Sequence, residues 1–146
     1  MSTAEFSVEV DAPPEKVWEV VSQPANIPHW EKHVVNVRVP DESLGEGSRY
    51  TVVMGFMGVR VTVRGEILRW EPPHHATIRL RGPLDATIDT TVAELPHGRS
   101  ILRHEVSYTF RGPLGGVVAA GLTAVGGAQL GIRHGTLAQK RQVEGT

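Results

Sequence analysis

Polar and apolar residues alternate without a break over residues 5–10, EFSVEV. Phe6, Val8 and Val10 share one side; Glu5, Ser7 and Glu9 share the other. A period of two predicts a strand with one buried face. The same period recurs over 34–39, 49–56, 59–70, 76–81, 85–95 and 100–110. Turn formers separate these runs: the glycine-rich DESLGEG, Gly58, Pro72-Pro73, Gly82-Pro83 and PHGR. Between the first two strands the period changes. PPEKVWEVVSQ sets Val17, Val20 and Val21 on one helical face, with Asp11 placed to cap it and prolines in its first turn. Pro24 ends that helix, and ANIPHWEKH reads as a short, broken second one. After Phe110 a helical stretch runs to the end of the chain. The predicted order is β-α-α-β6-α, an α+β class. Short turns between successive strands predict a seven-stranded antiparallel meander. The long C-terminal helix is the element large enough to cover one face of it.

The alternation also assigns faces. The side predicted to meet the helix carries Tyr50, Val52, Met54 and Phe56; Val59, Val61, Val63 and Ile67; Ala76, Ile78 and Leu80; Ala86, Ile88, Thr90 and Val92; and Leu102, His104, Val106, Tyr108 and Phe110. The opposite side carries Arg60, Arg64, Glu66, Arg79, Arg81, Asp89, Arg103 and Glu105, where arginines and carboxylates on neighbouring strands can pair. A β-bulge is the device that could move one of these arginines inward.

Composition narrows the function. At 146 residues the chain suits one domain, spanning residues 1–146, and is large enough for a core or a core with a hole in it. Fifteen basic residues meet sixteen acidic ones, for a net charge of −1, which argues against a nucleic-acid partner. Without cysteine there is no disulfide, thiolate catalysis or cysteine-ligated zinc. No histidine–carboxylate spacing of a metal site is present, so no metal and no cofactor are expected. The acidic N-terminus lacks an apolar signal core, which predicts a cytoplasmic protein. From Pro113 to Ile132 twenty uncharged residues run in a row. Glycine and alanine dominate them, so stable membrane insertion is not expected.

VEVDAPPEKVWEVVSQPANIPHW, residues 8–30, resembles the opening of the START-like, helix-grip superfamily, and in particular its polyketide cyclase/dehydrase branch. GPLGG, leading into the last helix, resembles that family too. The likeness extends from Glu5 to about Gln142. It implies a curved sheet wrapped round the long C-terminal helix, with a cavity between them for a hydrophobic small molecule. Placed on this chain, the cavity wall would be Tyr50, Val52, Met54, Phe56, Val61, Val63, Ile78, Leu80, Ile88, Thr90, Leu102 and Val106 from the sheet. Val117, Gly121 and Ala124 would come from the helix, with His29 and Trp30 at the mouth.

The resemblance implies a cofactor-independent cyclisation or dehydration of a polyketide-type chain, carried largely by holding that chain in one reactive shape. His104 would be the general acid/base and Tyr108 its partner, with Tyr50 and Thr90 orienting an oxygen. His104 has a second reading, as a core histidine bonded to a neighbour such as Thr90. No arginine falls on the inner face, which counts against an aromatase and suits an apolar chain. A non-catalytic carrier or sensor of a lipid or quinone fits that wall equally well.

GGVVAAGLTAVGGAQLGIRHG, residues 115–135, holds seven glycines and four alanines. Each interior glycine costs a helix about 1 kcal/mol against alanine, so the thinness needs a use. Small residues can leave room for a ligand, or let a second copy approach as a homodimer. Gly126-Gly127 is a predicted kink.

Overall fold

The computed structural model describes residues 2–40, 43–124 and 126–146. Its strands are β1 Ser2–Val10, β2 Val34–Arg38, β3 Arg49–Phe56, β4 Val59–Glu71, β5 His75–Arg81, β6 Leu84–Leu95 and β7 Arg99–Phe110. They form one antiparallel sheet in the order β1-β7-β6-β5-β4-β3-β2. The hairpins pair in sequence, as short turns require, and β1 closes on β7 at the far side. Helices α1 Pro14–Val21 and α2 Ile27–Trp30 fill the gap between β1 and β2, joined by a short 3-10 turn at Pro24–Asn26. The fold is the seven-stranded α+β helix-grip arrangement.

The predicted faces hold along most of the sheet. In β3 the residues Tyr50, Val52, Met54 and Phe56 are all buried, as are Val61, Val63 and Ile67 in β4. Val59 departs from this reading: it flanks the β3–β4 hairpin tip and is exposed. Bulges occur, but they shift valine and leucine rather than arginine. One lies between Val34 and Asn36, the other between Ile67 and Arg69. Val35 and Leu68, the extra residues, are turned out to solvent. Asp11 does not cap α1. Pro13 occupies the N-cap position without a side-chain bond, and the Asp11 N–H donates to Glu144 Oε2 at 2.9 Å.

One expectation is corrected. The C-terminal segment is two helices, α3 Gly112–Ala124 and α4 Ala128–Glu144, bent by 69°. The predicted kink is a full break. Gly126 and Gly127 take φ of +101° and +89°, values glycine reaches without a Cβ clash. The Gly127 N–H closes α3 by donating to the Leu122 carbonyl at 2.8 Å. Among the described residues no single helix is long and apolar enough to cross a membrane.

The break lets each half pack in its own direction. α3 lies on β3, β4 and β7, with Val118 fully buried among Val52, Phe56, Val61 and Val63. α4 runs along the free edge of β1. There the Gln129 amide both accepts from the Glu5 N–H at 3.2 Å and donates to the Glu5 carbonyl at 2.6 Å, as a neighbouring strand would. Lys140 Nζ donates to the Glu9 carbonyl at 2.7 Å. The edge is thereby covered rather than left open to another chain. A second core cluster joins α1 to α4 and β7 through Val10, Val17, Leu102 and Val143, with Trp18 edge-on to Trp70 at 5.2 Å.

Candidate functional site

Between the inner face of the sheet and α4 lies a cavity of about 300 Å³. Its position follows from the break. α3 and α1 seat their apolar residues on the two ends of the sheet, and the middle of the sheet faces α4 without being filled. Cross-strand rows build the sheet side. Tyr50 lies opposite Gly65, Gly65 opposite Leu80, Leu80 opposite Ala86, and Ala86 opposite Tyr108. The next row continues through Ile78, Ile88 and Val106 to Ala4. Gly65 is required here, because a Cβ would stand 2.5 Å from Tyr50 Cζ, so only glycine lets that ring lie across β4.

Of the residues predicted to form the site, Trp30, Tyr50, Val52, Met54, Val63, Ile78, Leu80, Ile88, Thr90, His104, Val106 and Tyr108 line the cavity. The others stand elsewhere, each for a packing reason. Phe56 and Val61 point inward but are covered by α3 in the core. Leu102 also points inward and is taken up beneath α1. Val117 packs on the α3 core cluster, Gly121 is pressed on Phe56, and Ala124 is exposed at the end of α3. His29 is exposed on α2, while Trp30 next to it turns in and donates from Nε1 to Gln142 Oε1 at 2.8 Å.

The helix wall therefore comes from α4, through Ala128, Gly131, Ile132, Gly135, Thr136 and Gln139. Their spacing of three and four is one helical face. It is visible in the sequence once the helix is known to restart at Ala128. Leu122 alone contributes from α3. Glu31, Gln23 and Ser22 line the other side near α2, where Glu31 is held by the His33 backbone N–H at 2.9 Å and by His33 Nδ1 at 2.6 Å.

Opposite these residues the cavity has a buried polar corner. Thr90 and His104 are cross-strand neighbours, with Thr90 Oγ1 2.7 Å from His104 Nδ1. On the other side His104 Nε2 is 2.6 Å from Gln139 Oε1. An amide oxygen only accepts, so Nε2 carries the hydrogen and the threonine hydroxyl donates to Nδ1. Burial pushes the His104 pKa below the ordinary histidine value, while the Gln139 bond pulls it partly back. The ring is thus neutral with both nitrogens occupied. Gln139 escaped the sequence reading because nothing marks one glutamine on a polar helix tail until a buried histidine is set opposite it. Its amide nitrogen has no protein acceptor among the described residues, and the residue itself lines the cavity. Tyr50 is buried and its hydroxyl pKa is raised by desolvation, which keeps it protonated. No arginine lines this cavity, and no group of three or more metal-ligating side chains occurs among the described residues.

Residues 1–139 match the family described as polyketide cyclase/dehydrase and lipid transport. An uncharacterized protein of Mycobacterium tuberculosis, Rv1546, is 30% identical over 125 residues, covering 82% of this chain and 87% of its own length. The Zhui aromatase/cyclase from Streptomyces sp. R1128 superposes with a TM-score of 0.72 at 17% identity, covering 98% of this chain and 93% of that one. A START superfamily protein from Mycobacterium smegmatis gives 0.73 at 15% identity, covering 98% and 97%. At these identities the two structures show a common fold.

Proposed function

Since this chain belongs to the polyketide cyclase/dehydrase and lipid transport family, we propose that its cavity holds a neutral, largely apolar small molecule. An oxygen of that molecule meets the Gln139 amide at the polar corner. One observation carries this reading: a mostly apolar wall holding one buried hydrogen-bonded trio, Thr90, His104 and Gln139, while the carboxylate on the other side, Glu31, is already held by His33. An ionised carboxylate or phosphate taken into that wall would lose its water without meeting a cation, which is costly. A carbonyl or hydroxyl instead finds the amide N–H of Gln139.

A catalytic form of the same reading is the cyclisation or dehydration of a polyketide-type chain. The two tyrosines on the cavity wall, Tyr50 and Tyr108, favour it, because a phenol hydroxyl is a hydrogen-bond donor of the kind that stabilises a developing oxyanion. His104 enters it as a positioning residue that fixes the Gln139 amide, because both of its nitrogens are already bonded.

The test is denaturation of the purified protein, extraction into organic solvent and mass spectrometry of the extract, with ligand titration of variants. A neutral apolar compound bearing a carbonyl or hydroxyl is the expected occupant. Gln139→Leu should then weaken it roughly tenfold, the worth of one hydrogen bond to a buried partner. A bound ionised amphiphile, or a ligand indifferent to Gln139→Leu, would contradict the reading. Loss of turnover with retained binding in Tyr108→Phe would separate an enzyme from a carrier.

A further inference from the structure

The outer face of the sheet is two different surfaces. Toward β1, β6 and β7 its arginines are matched. Arg99 pairs with Glu9, Arg103 with both Glu5 and Glu105, and Arg111, just past β7, with Asp85; Arg79 of β5 also reaches Asp85, and Arg69 of β4 pairs with Glu71. Elsewhere on β2 to β5 four arginines are gathered instead. Arg38 lies opposite Thr51, Thr51 opposite Arg64, and Arg64 opposite Arg81. Directly paired residues share a face, so Arg38, Arg64 and Arg81 stand in one cross-strand row. Arg49 sits two residues before Thr51, on the same face. Among the described residues none of these four makes an ion pair. Like charges directly opposite each other destabilise a sheet, and Arg64 is the direct cross-strand partner of Arg81.

Three of these arginines surround a depression of about 390 Å³, lined by Arg49, Thr51, Arg64 and Arg81 with Glu66 at its side. Guanidinium forks match the oxygens of a phosphate in a way ammonium groups do not. Among the described residues three cations face one carboxylate, so a dianion neutralises that set and a monoanion leaves it charged. We propose that this depression binds the phosphate group of a phosphorylated molecule. The molecule is either free in solution or the headgroup of an anionic lipid surface. Even overall charge argued against a polyanion partner, and it remains true of the chain as a whole. The cluster is local, one phosphate group fills it, and it lies on the opposite side of the sheet from the apolar cavity.

Glycerol 3-phosphate is the soluble probe, and phosphatidylcholine vesicles carrying phosphatidic acid are the surface probe. Thermal melting of the full chain should rise with glycerol 3-phosphate and not with sodium chloride at equal ionic strength, or the chain should float with phosphatidic acid vesicles and not with phosphatidylcholine alone. The first result identifies a free molecule, the second a lipid surface. Arg64→Ala should weaken the binding seen by roughly tenfold, and Arg64→Lys by less, because charge survives and the fork does not. Arg60→Ala, on the same face but outside the depression, should leave binding unchanged. The melting temperature of Arg64→Ala without ligand should match or exceed the wild type, since one of two facing cations is gone. Absence of binding in both arms, or equal binding by wild type and an Arg64→Ala, Arg81→Ala double variant, would overturn the proposal.

Discussion

α3 and α4 are both rich in small residues and use them in opposite ways. A Cβ on Gly121 of α3 would stand 2.1 Å from Phe56 Cδ1, and one on Gly115 would stand 2.9 Å from the Phe110 carbonyl carbon. A Cβ on Gly131 of α4 would meet nothing within 4 Å, and one on Gly135 would make ordinary contact with the Trp30 carbonyl oxygen at 3.6 Å. In α3 the missing side chains bring the helix down onto the sheet. In α4 they keep a wall back from it. Thinness in a helix is therefore not evidence of a cavity by itself. The opposing surface decides, and Gly126-Gly127 is what gives the two halves different opposing surfaces.

The largest expected effect breaks the α3 side of this comparison. Gly121→Val should cost about 1–3 kcal/mol in urea denaturation through overpacking against Phe56. Part of the loss should return when Phe56→Leu is added, and the same valine at Gly131 should cost nothing comparable. Next comes the polar corner. Gln139→Leu leaves the buried His104 N–H without its acceptor and should lower stability by about 1–3 kcal/mol.

A third effect is on pH dependence. His104 is held neutral when folded, whereas the unfolded chain protonates it below its ordinary value of 6.5. The unfolded state then binds a proton that the folded state refuses. Stability contributed by the neutral ring is therefore full above that pH and falls below it, by at most about 1.4 kcal/mol per pH unit. Replacing the trio together, by Thr90→Val, His104→Phe and Gln139→Leu, should flatten the melting-temperature slope between about pH 7 and pH 5. The smallest effect sharpens the α4 side. Gly131→Ala should raise stability by up to about 1 kcal/mol, because the helix gains and nothing is struck.

Most of this architecture was legible in the order of residues, because period two survives in seven separate runs and the short turns between them leave little choice of partner. The inner face followed from the same count, and with it the neighbouring of Thr90 and His104. Heights above the sheet did not follow. Phe56, Val61 and Leu102 point inward as alternation demands, yet α3 or α1 covers them, while Val106 and Tyr108 on the same face look into open volume. Alternation states a direction and says nothing of how far away the next atom is. The helix wall was misplaced onto Val117, Gly121 and Ala124 for a related reason. Small residues show room only when their neighbour is known, and the break at Gly126-Gly127 is what assigns it. The arginine row was equally hidden, since it exists only once the registers of four strands are known.

The central claim is that α4, not α3, leaves room for a ligand. It is tested most directly by titrating a neutral apolar fluorophore such as Nile red into the wild type and Gly131→Leu, alongside their melting curves. The account predicts saturable binding by the wild type and loss of binding by Gly131→Leu, which should still melt cooperatively near the wild-type temperature. Equal binding by the two proteins, with the variant fully folded, would contradict it.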